Sequence, residues 1–395
     1  MITLKLRSNR SGPAAGFHPW IFTGAFAALP KNLNPGDPVR IESDKGEFLA
    51  CGYFNEGSNI AVKIWGVDPD EEVDAFFFLK RIANACEFRQ KYVQNSMTDS
   101  YRLIHGENDW LPGFTADKYA DYLCVQFHTR AMERWRSEII RALIKTLSPK
   151  GIYECSDSHT RLRDGLSPIS GILYGDVPDL VHIRENGLKF IVDVKQGQKT
   201  GFFLDQRDKR QAVLKYAPNA HVLNCFCYTG SFSVYAQKAG ATSIVNVDSS
   251  DKALSLAREN AKLNKLDTAK CEYICTDAKN YLKHTVEEKQ QFNLVILDPP
   301  AFIKEKTRKR DGISGYKFIN EKGMALLTER GILLTCSCSS FLSTQDFRYL
   351  LSECGARARK PFTVVEEYFH GIDHPALLPF TEGQYLKCMI LKAMI

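Results

Sequence analysis

The sequence predicts an α/β protein whose C-terminal half is a mainly parallel β-sheet with helices on both faces. From Gly187 onward, apolar or β-branched runs alternate with helical segments, which is the pattern of βαβ units. The first 75 residues contain short alternating runs separated by turn residues, which indicates a small β-rich domain. Strand and helix patterns are mixed between these regions. We therefore expect three domains, at 1–75, 76–185 and 186–395.

Three further elements can be placed before the site is considered. An amphipathic helix is predicted at 132–147 in the middle domain. A final strand is predicted at 383–391, at an antiparallel edge of the C-terminal sheet. The run 304–310, KEKTRKR, is predicted to be a dense basic loop.

The composition is typical of a globular protein, with 44% hydrophobic and 25% charged residues. No apolar run approaches the roughly 18 to 20 residues of a membrane span, and residues 1–10 lack the apolar core of a secretory signal. The twelve cysteines include no CxxC pair and no zinc-finger histidines. We therefore expect a cytoplasmic protein with free thiols, no metal and no membrane partner.

The segment 221–248 has the pattern strand, small-residue turn, helix, strand, which is a right-handed βαβ unit. Asp248 closes the second strand, where a carboxylate can accept hydrogen bonds from ribose hydroxyls. The turn contains Gly230 but lacks the three-glycine cradle of a pyrophosphate site. A nucleoside without a diphosphate is favoured, and S-adenosylmethionine (SAM) fits. The alternative at this point is a βαβ crossover that binds no ligand.

Polar side chains close several strands of the predicted sheet. Because the carboxyl ends of parallel strands line the ligand crevice in open α/β sheets, we expect these side chains to meet in one site. Asp277 could accept from the exocyclic amine of adenine or simply cap a helix. Asp298 opens the rigid loop DPPAF, in which two prolines fix the backbone. The strand-end residues are Asn224, Asp248, Asp277, Asp298 and the pair Cys336 and Cys338.

A thiol opposite a carboxylate suits the methylation of cytosine at carbon 5. That carbon is not nucleophilic by itself, so a thiolate adds to carbon 6, the resulting enamine attacks the sulfonium methyl, and a base then removes the carbon-5 proton. Cys338 or Cys336 would supply the thiolate, and Asp298 would hydrogen-bond the cytosine edge. The alternative is that both thiols are buried and inert. The small polar residues around them, at 337–340, argue against this alternative.

These residues resemble those of the bacterial 23S ribosomal RNA (cytosine-5-)-methyltransferases. That family combines an N-terminal PUA β-barrel, an intermediate α+β domain and a C-terminal Rossmann-like SAM-binding domain. The resemblance implies methyl transfer from SAM to a cytosine of 23S ribosomal RNA, either naked or in a subunit particle. It spans nearly the whole chain through HPWIFTG, GQKTGFFLDQRDKR, VLNCFCYTGSFSVYA, VDSSDKALSLARENAKLNKLD, LVILDPPAF, GYKFIN, GILLTCSCSS and GQYLK.

The resemblance also implies a role for each matching position. Cys338, the second cysteine of the TCSCS run, would be the nucleophile, although related RNA cytosine methyltransferases with a TCS motif point to Cys336. Asp298 would face the cytosine, Asp248 would hold the ribose and Asp277 the adenine. The implied cofactor-binding residues are Lys199, Thr200, Phe202, Asp205, Asn224, Phe226, Tyr228, Thr229, Gly230, Asp248, Asp277 and Asp298.

Two positions depart from the family pattern. Ser231 stands where the family tends to have glycine, and Cys227 where it tends to have serine. Both residues are small, so cofactor binding is still expected, and only its affinity could differ. Beside the DPPAF loop, the basic run 304–310 is interpreted as a set of phosphate contacts.

Two other functions remain as alternatives. One is SAM-dependent methylation of a guanine amino group, with Cys338 merely structural. It is weakened by Ala301, which separates the prolines from the aromatic residue that would stack on the target. The other is a non-catalytic RNA-binding factor of ribosome assembly. A homodimer is left open.

Overall fold

The computed structural model describes residues 1–56, 59–156 and 159–394. The chain forms two units, and each is built from segments that are distant in sequence. The first unit contains Met1–Ile183, Val192–Leu204 and Ile372–Gly383, and the second contains Arg184–Ile191, Asp205–Gly371 and Gln384–Ile395. The boundaries 1–75, 76–185 and 186–395 stay a prediction.

A five-stranded sheet forms the N-terminal part of the first unit. Its elements are β1 (Ile2–Lys5), α1 (Gly12–Ala15), β2 (Trp20–Phe22), β3 (Pro38–Glu42), β4 (Phe48–Phe54) and β5 (Ile60–Gly66). The strand order is β1-β3-β4-β5-β2, and only the β1–β3 pair is parallel. Val39 and Ile41 alternate with half-buried residues along β3, so one face of the sheet covers a small core.

A second five-stranded sheet completes the first unit. Its elements are α2 (Ala75–Tyr92), β6 (Tyr101–His105), β7 (Phe114–Tyr119), β8 (Tyr122–Phe127), α3 (Arg130–Arg134), α4 (Arg136–Leu147), β9 (Gly151–Ser156), α5 (His159–Arg163) and β10 (Ile169–Gly175). The order is β10-β9-β8-β7-β6, with β8 and β9 parallel. Tyr53 and Trp65 of the first sheet belong to the core beneath this one.

The predicted helix 132–147 is two helices, α3 and α4. Thr129 caps α3 by accepting a hydrogen bond from the Met132 amide. Trp135 then leaves the helical conformation, with ψ near 13°, and its ring packs 5.2 Å from that of Phe78 on α2. The packing of this indole against α2 therefore accompanies a break that the periodicity does not reveal.

A two-stranded sheet of β11 (Leu180–Glu185) and β12 (Leu188–Asp193) comes next in the sequence. A seven-stranded sheet with helices then forms most of the second unit. Its strands are β13 (His221–Cys225), β14 (Ser243–Asp248), β15 (Cys271–Cys275), β16 (Phe292–Leu297), β17 (Leu327–Ser337), β18 (Phe362–Tyr368) and β19 (Lys387–Ala393). Its helices are α6 (Arg207–Tyr216), α7 (Ser231–Lys238), α8 (Asp251–Leu263), α9 (Ala278–Glu287), α10 (Lys309–Ala325) and α11 (Thr344–Arg357).

The strand order of this sheet is β15-β14-β13-β16-β17-β19-β18. The strands β13 to β17 are parallel, and β19 runs antiparallel to both β17 and β18. The order reverses between β13 and β16. Ligands of doubly wound sheets bind at such a reversal, outside the carboxyl ends of the strands. The predicted Rossmann-like α/β fold is confirmed.

The predicted position of the last strand is wrong. The strand begins at Lys387 rather than at 383, and it lies inside the sheet, between β17 and β18. The edge strand is β18, whose residues alternate between half-buried and exposed. Its sequence, FTVVEEY, lacks a long apolar run because only one of its faces packs on the protein.

The basic run 304–310 is only partly a loop. Lys306–Arg308 form a 3₁₀ turn, and Lys309 begins α10. No helix in the described part of the chain is long and apolar enough to cross a membrane. All twelve cysteines are free, and Cys124 and Cys225 are fully buried, as expected for cysteines that pack as small hydrophobic residues.

Candidate active site at the strand ends

The turn after β13 is made by residues in the left-handed region. Phe226, Tyr228 and Gly230 have φ values of 59°, 48° and 69°. Gly230 precedes α7, and its amide donates to the carbonyl of Cys227 at 2.8 Å. A Cβ atom on Gly230 would lie 2.7 Å from the Cβ of Ala257 in α8. Both the backbone angle and the neighbouring helix therefore require glycine here.

Asp248 joins this turn to the next strand end. Its Oδ2 accepts from the Tyr228 amide at 2.8 Å, and its Oδ1 accepts from the Ser250 amide at 3.0 Å. Each carboxylate oxygen has two lone pairs, so each can accept one more hydrogen bond. The role of Asp248 as the acceptor for ribose hydroxyls stays a prediction.

A buried polar network lies below the turn. The side-chain Nδ2 of Asn224 donates to Ser233 Oγ at 2.8 Å, and the Ser233 hydroxyl donates to Asn246 Oδ1 at 2.6 Å. The Oδ1 of Asn224 and the Oγ1 of Thr229 are buried without a hydrogen-bond partner among the described residues. Each of these two oxygens can accept a hydrogen bond from a polar ligand.

The loop after β16 meets the loop after β17. Asp298 Oδ1 accepts from Gln206 Nε2 at 2.7 Å, and the Cys338 thiol donates to the carbonyl of Pro299 at 3.8 Å. The structure thus brings the predicted thiol beside the residue that follows the predicted carboxylate. Gln206 was not predicted individually, although it lies within the GQKTGFFLDQRDKR run.

The two cysteines of the TCSCS run are not equivalent. Cys336 lies inside β17 and is fully buried. Its neighbour on the adjacent strand β19 is Cys388, and both thiols are free. Burial raises the pKa of the Cys336 thiol well above its usual value, and its hydrogen bond with Cys388 raises it further. The expectation that both thiols stand at the strand end is wrong for Cys336, since β17 continues to Ser337. Cys338 is the partly exposed thiol beyond the strand.

Lys387 lies behind the Cys338 loop and was also missed. It is almost fully buried, and its ammonium donates to the carbonyls of Ser339 at 2.8 Å and Leu342 at 2.6 Å. Burial lowers the pKa of Lys387 to about 8, while the negative charge of the Cys338 thiolate acts in the opposite direction. The available signal was a lysine in the otherwise apolar run LKCMIL.

Two family models and several curated proteins match this chain. A family model described as S-adenosylmethionine-dependent methyltransferase matches residues 101–387, and a PUA-like domain model matches residues 4–65. Ribosomal RNA large subunit methyltransferase I of Tolumonas auensis is 39% identical over 394 residues, which cover 99% of each chain. The protein of the same name from Escherichia coli (strain UTI89) is 37% identical over the whole of both chains. This chain belongs to the ribosomal RNA large subunit methyltransferase I family.

Solved structures show the same fold as this member of the methyltransferase I family. A protein from Streptococcus mutans described as a SAM-dependent methyltransferase is 24% identical, with a TM-score of 0.86 over 99% of this chain and 100% of that one. A methyltransferase structure complexed with SAH (S-adenosylhomocysteine) is 23% identical, with a TM-score of 0.87 and the same coverage. The predicted PUA-like and methyltransferase domains are thus confirmed.

The residues at the strand ends of the second unit fit SAM. The unsatisfied polar atoms of Asn224 and Thr229 suit the amino-acid end of SAM, and Asp248 suits its ribose. Asp277 caps α9, because its Oδ1 accepts from the amides of Lys279 and Asn280 at 2.9 and 3.0 Å. The helix-cap alternative is therefore present in the structure. The proposed adenine contact would use the other carboxylate oxygen.

The other predicted cofactor residues are divided between the two units. Asp205 is in the second unit and accepts from Tyr385 Oη at 2.6 Å. Thr200 lies in the first unit, where its hydroxyl donates to Asp117 at 2.5 Å and contacts Tyr119 Oη at 3.1 Å. The SAM-binding roles of Lys199, Thr200 and Phe202, all in the first unit, stay predictions. Among the described residues, no group of three or more His, Cys, Asp or Glu could hold a metal ion.

Replacing Gly230 by alanine is expected to weaken SAM binding roughly tenfold and to cost about 2 kcal/mol of unfolding free energy. The new methyl group clashes with Ala257 and displaces the turn that carries Tyr228 and Thr229. Isothermal titration with SAM and thermal unfolding measure the two effects. Gly240→Ala is the matched control, because Gly240 also has positive φ, 97°, but no atom lies within 4 Å of its Cβ position. Equal SAM affinity in both variants would contradict the prediction.

Proposed function

We propose that this protein transfers the methyl group of SAM to carbon 5 of a cytosine in 23S ribosomal RNA through a covalent adduct with Cys338. The observation that carries the proposal is the contact between the Cys338 thiol and the Pro299 carbonyl. This contact puts a partly exposed sulfur beside the loop that Asp298 opens. An enzyme that only methylates an amino group has no need of a thiol at this place.

The chemistry assigned to the protein begins at Cys338. Its thiolate adds to carbon 6 of the cytosine, and the electron pair of the 5,6 double bond makes carbon 5 nucleophilic. SAM, when bound, supplies the electrophilic methyl group for carbon 5. A base then takes the carbon-5 proton, the electron pair of that C–H bond restores the 5,6 double bond, and the bond from carbon 6 to the Cys338 sulfur breaks to release the thiolate. Asp298, held by Gln206, hydrogen-bonds the cytosine edge through both steps.

Lys387 favours the charged form of the nucleophile. A nearby positive charge stabilises a thiolate and lowers the pKa of the thiol. Lys387 supplies this charge from inside the protein, where solvent screens it poorly. Its two hydrogen bonds to the loop carbonyls also fix the loop that carries Cys338. Lys387 is therefore a positioning residue, which acts on the substrate only through Cys338.

Replacing Lys387 by methionine is expected to lower the rate of Cys338 alkylation near pH 7 by about 3- to 10-fold, because the thiolate loses a neighbouring positive charge. The pKa of Lys387 is about 8, so the ammonium acts below that pH. The difference between variant and wild type should narrow as Lys387 loses its proton above it. Iodoacetamide labelling, quantified on the Cys338 peptide by mass spectrometry, measures the profile. Lys387→Arg keeps the charge and should keep the alkylation rate near pH 7; an unchanged rate in Lys387→Met contradicts the role.

The proposed function is tested on 23S ribosomal RNA from cells with and without this protein. Bisulfite sequencing should show one cytosine that resists conversion only when the protein is present, and purified protein with SAM should restore it in vitro. Loss of a methylated guanine instead, detected by nucleoside mass spectrometry, would support guanine N-methylation. Tight RNA binding without transfer of labelled methyl would support a non-catalytic assembly factor. Either result overturns the proposal.

A further inference from the structure

A cavity of about 400 Å³ lies beside the DPPAF loop. Pro300 and Phe302 form one wall, and the beginning of α10 forms another. Asp298 opens the same loop two residues before Pro300. The cavity therefore adjoins the place where the target base is proposed to bind, and no cofactor role has been given to its charged residues.

Two glycines of α10 hold its basic end against this loop. A Cβ atom on Gly312 would lie 2.8 Å from the carbonyl oxygen of Phe302, and one on Gly315 would lie 3.0 Å from the Phe302 ring. Side chains at these positions would push the helix away. The close contact keeps the residues that precede α10 at the edge of the cavity.

Three cations from three elements line the cavity. Lys279 comes from the first turn of α9, Lys304 from the loop after β16, and Arg308 from the 3₁₀ turn before α10. The Lys279 ammonium lies 4.7 Å from the centre of the Phe302 ring, a cation–π contact that holds it at the cavity wall. Asp311 is the one carboxylate of the lining, 3.7 Å from Arg308 Nε. Three positive charges against one negative charge favour an anion.

We propose that this cavity binds a phosphodiester of the RNA backbone next to the target cytosine. The inference rests on the proposed function, because it takes the loop opened by Asp298 as the place of the target base. A base that leaves its stack to react needs its backbone held on either side, and phosphate contacts from lysine and arginine supply such positioning. The RNA subsite thus comprises Lys279, Lys304 and Arg308, with Phe302 as the support for Lys279.

The experiment measures binding to unmodified 23S ribosomal RNA in the presence of SAH at several salt concentrations. Losing one phosphate contact lowers the slope of log affinity against log salt by about 0.7 for single-stranded RNA. The triple variant Lys279→Ala, Lys304→Ala, Arg308→Ala should show this decrease and bind roughly tenfold more weakly at physiological salt. Lys289→Ala, an exposed lysine just beyond the other end of α9, is the matched control and should behave as wild type.

Three results would overturn the subsite. They are an unchanged salt slope in the triple variant, an equal decrease in Lys289→Ala, and a loss of SAH affinity that would assign the cavity to the cofactor. Thermal unfolding of the triple variant checks its fold, and the single variant Lys304→Ala, at an exposed loop position, repeats the slope measurement. The binding result does not depend on which atom is methylated. Failure of the subsite can therefore be distinguished from failure of the cytosine-5 proposal.

Discussion

Replacing Cys338 by alanine is expected to lower methyl transfer by about 10³-fold or more, equivalent to about 4 kcal/mol of transition-state stabilisation. Without the thiolate, nothing adds to carbon 6 and carbon 5 stays unreactive. Replacing Cys336 is expected to keep the activity within a few-fold of wild type. That thiol is fully buried in β17 against Cys388, and its loss should cost only about 1 kcal/mol of stability.

The covalent adduct can be observed directly with RNA that carries 5-fluorocytosine. After methyl transfer, carbon 5 of this base has no proton to lose, so the thiolate cannot be expelled and the adduct persists. The wild type and Cys336→Ala should give a protein–RNA band that resists denaturing gel electrophoresis, and Cys338→Ala should give none. A band that is present in Cys338→Ala and absent in Cys336→Ala would show that Cys336 is the nucleophile, and it would contradict the proposal. Full methylation by a variant in which both Cys336 and Cys338 are alanine would exclude the covalent mechanism.

The different positions of these two cysteines could not be predicted from local sequence patterns. The strands β15 and β16 end at Cys275 and Leu297, just before the predicted strand-end residues Asp277 and Asp298. The segment of β16 is a short, mostly apolar run bounded by turns, which is typical of a buried strand in a parallel sheet. The end of β17 is set instead by its last pair with β19, Ser337 opposite Lys387. This pairing decides that Cys336 stays in the sheet while Cys338 leaves it, and no local pattern encodes it.

The supporting residues of the site were missed for a related reason. Gln206 and Asp298 are 92 positions apart, and Lys387 and Ser339 are 48 positions apart. Propensity and periodicity describe neighbours along the chain, so they do not report such contacts. The candidate residues at the strand ends were easier to single out because they follow apolar strands, where a polar side chain is conspicuous. For the same reason β18, with its mixed polar and apolar residues, was not recognised as a strand.

Replacing Asp298 by alanine is expected to lower kcat/KM for methyl transfer by about 10²-fold, or about 3 kcal/mol, the range for a hydrogen bond to a charged group. Gln206→Ala should lower it less, roughly tenfold, since the carboxylate remains but is no longer held. Single-turnover transfer from labelled SAM measures both effects. Because Asp298 is also a predicted cofactor contact, SAH titration of each variant separates the two roles. Unchanged SAH affinity assigns the loss to the cytosine.

The Asp298→Asn variant tests whether the Asp298 carboxylate accepts a hydrogen bond from the cytosine. Gln206 Nε2 is a donor and occupies one oxygen of Asp298 at 2.7 Å, so the asparagine carbonyl should turn toward Gln206 and leave its NH₂ group facing the cytosine. An NH₂ group cannot accept from the exocyclic amine of cytosine, but it can donate to ring nitrogen 3. If Asp298 acts as an acceptor, Asp298→Asn should be as inactive as Asp298→Ala. Near-wild-type activity would instead mean that the cytosine does not need a charged group at this position, and it would overturn the role of the carboxylate.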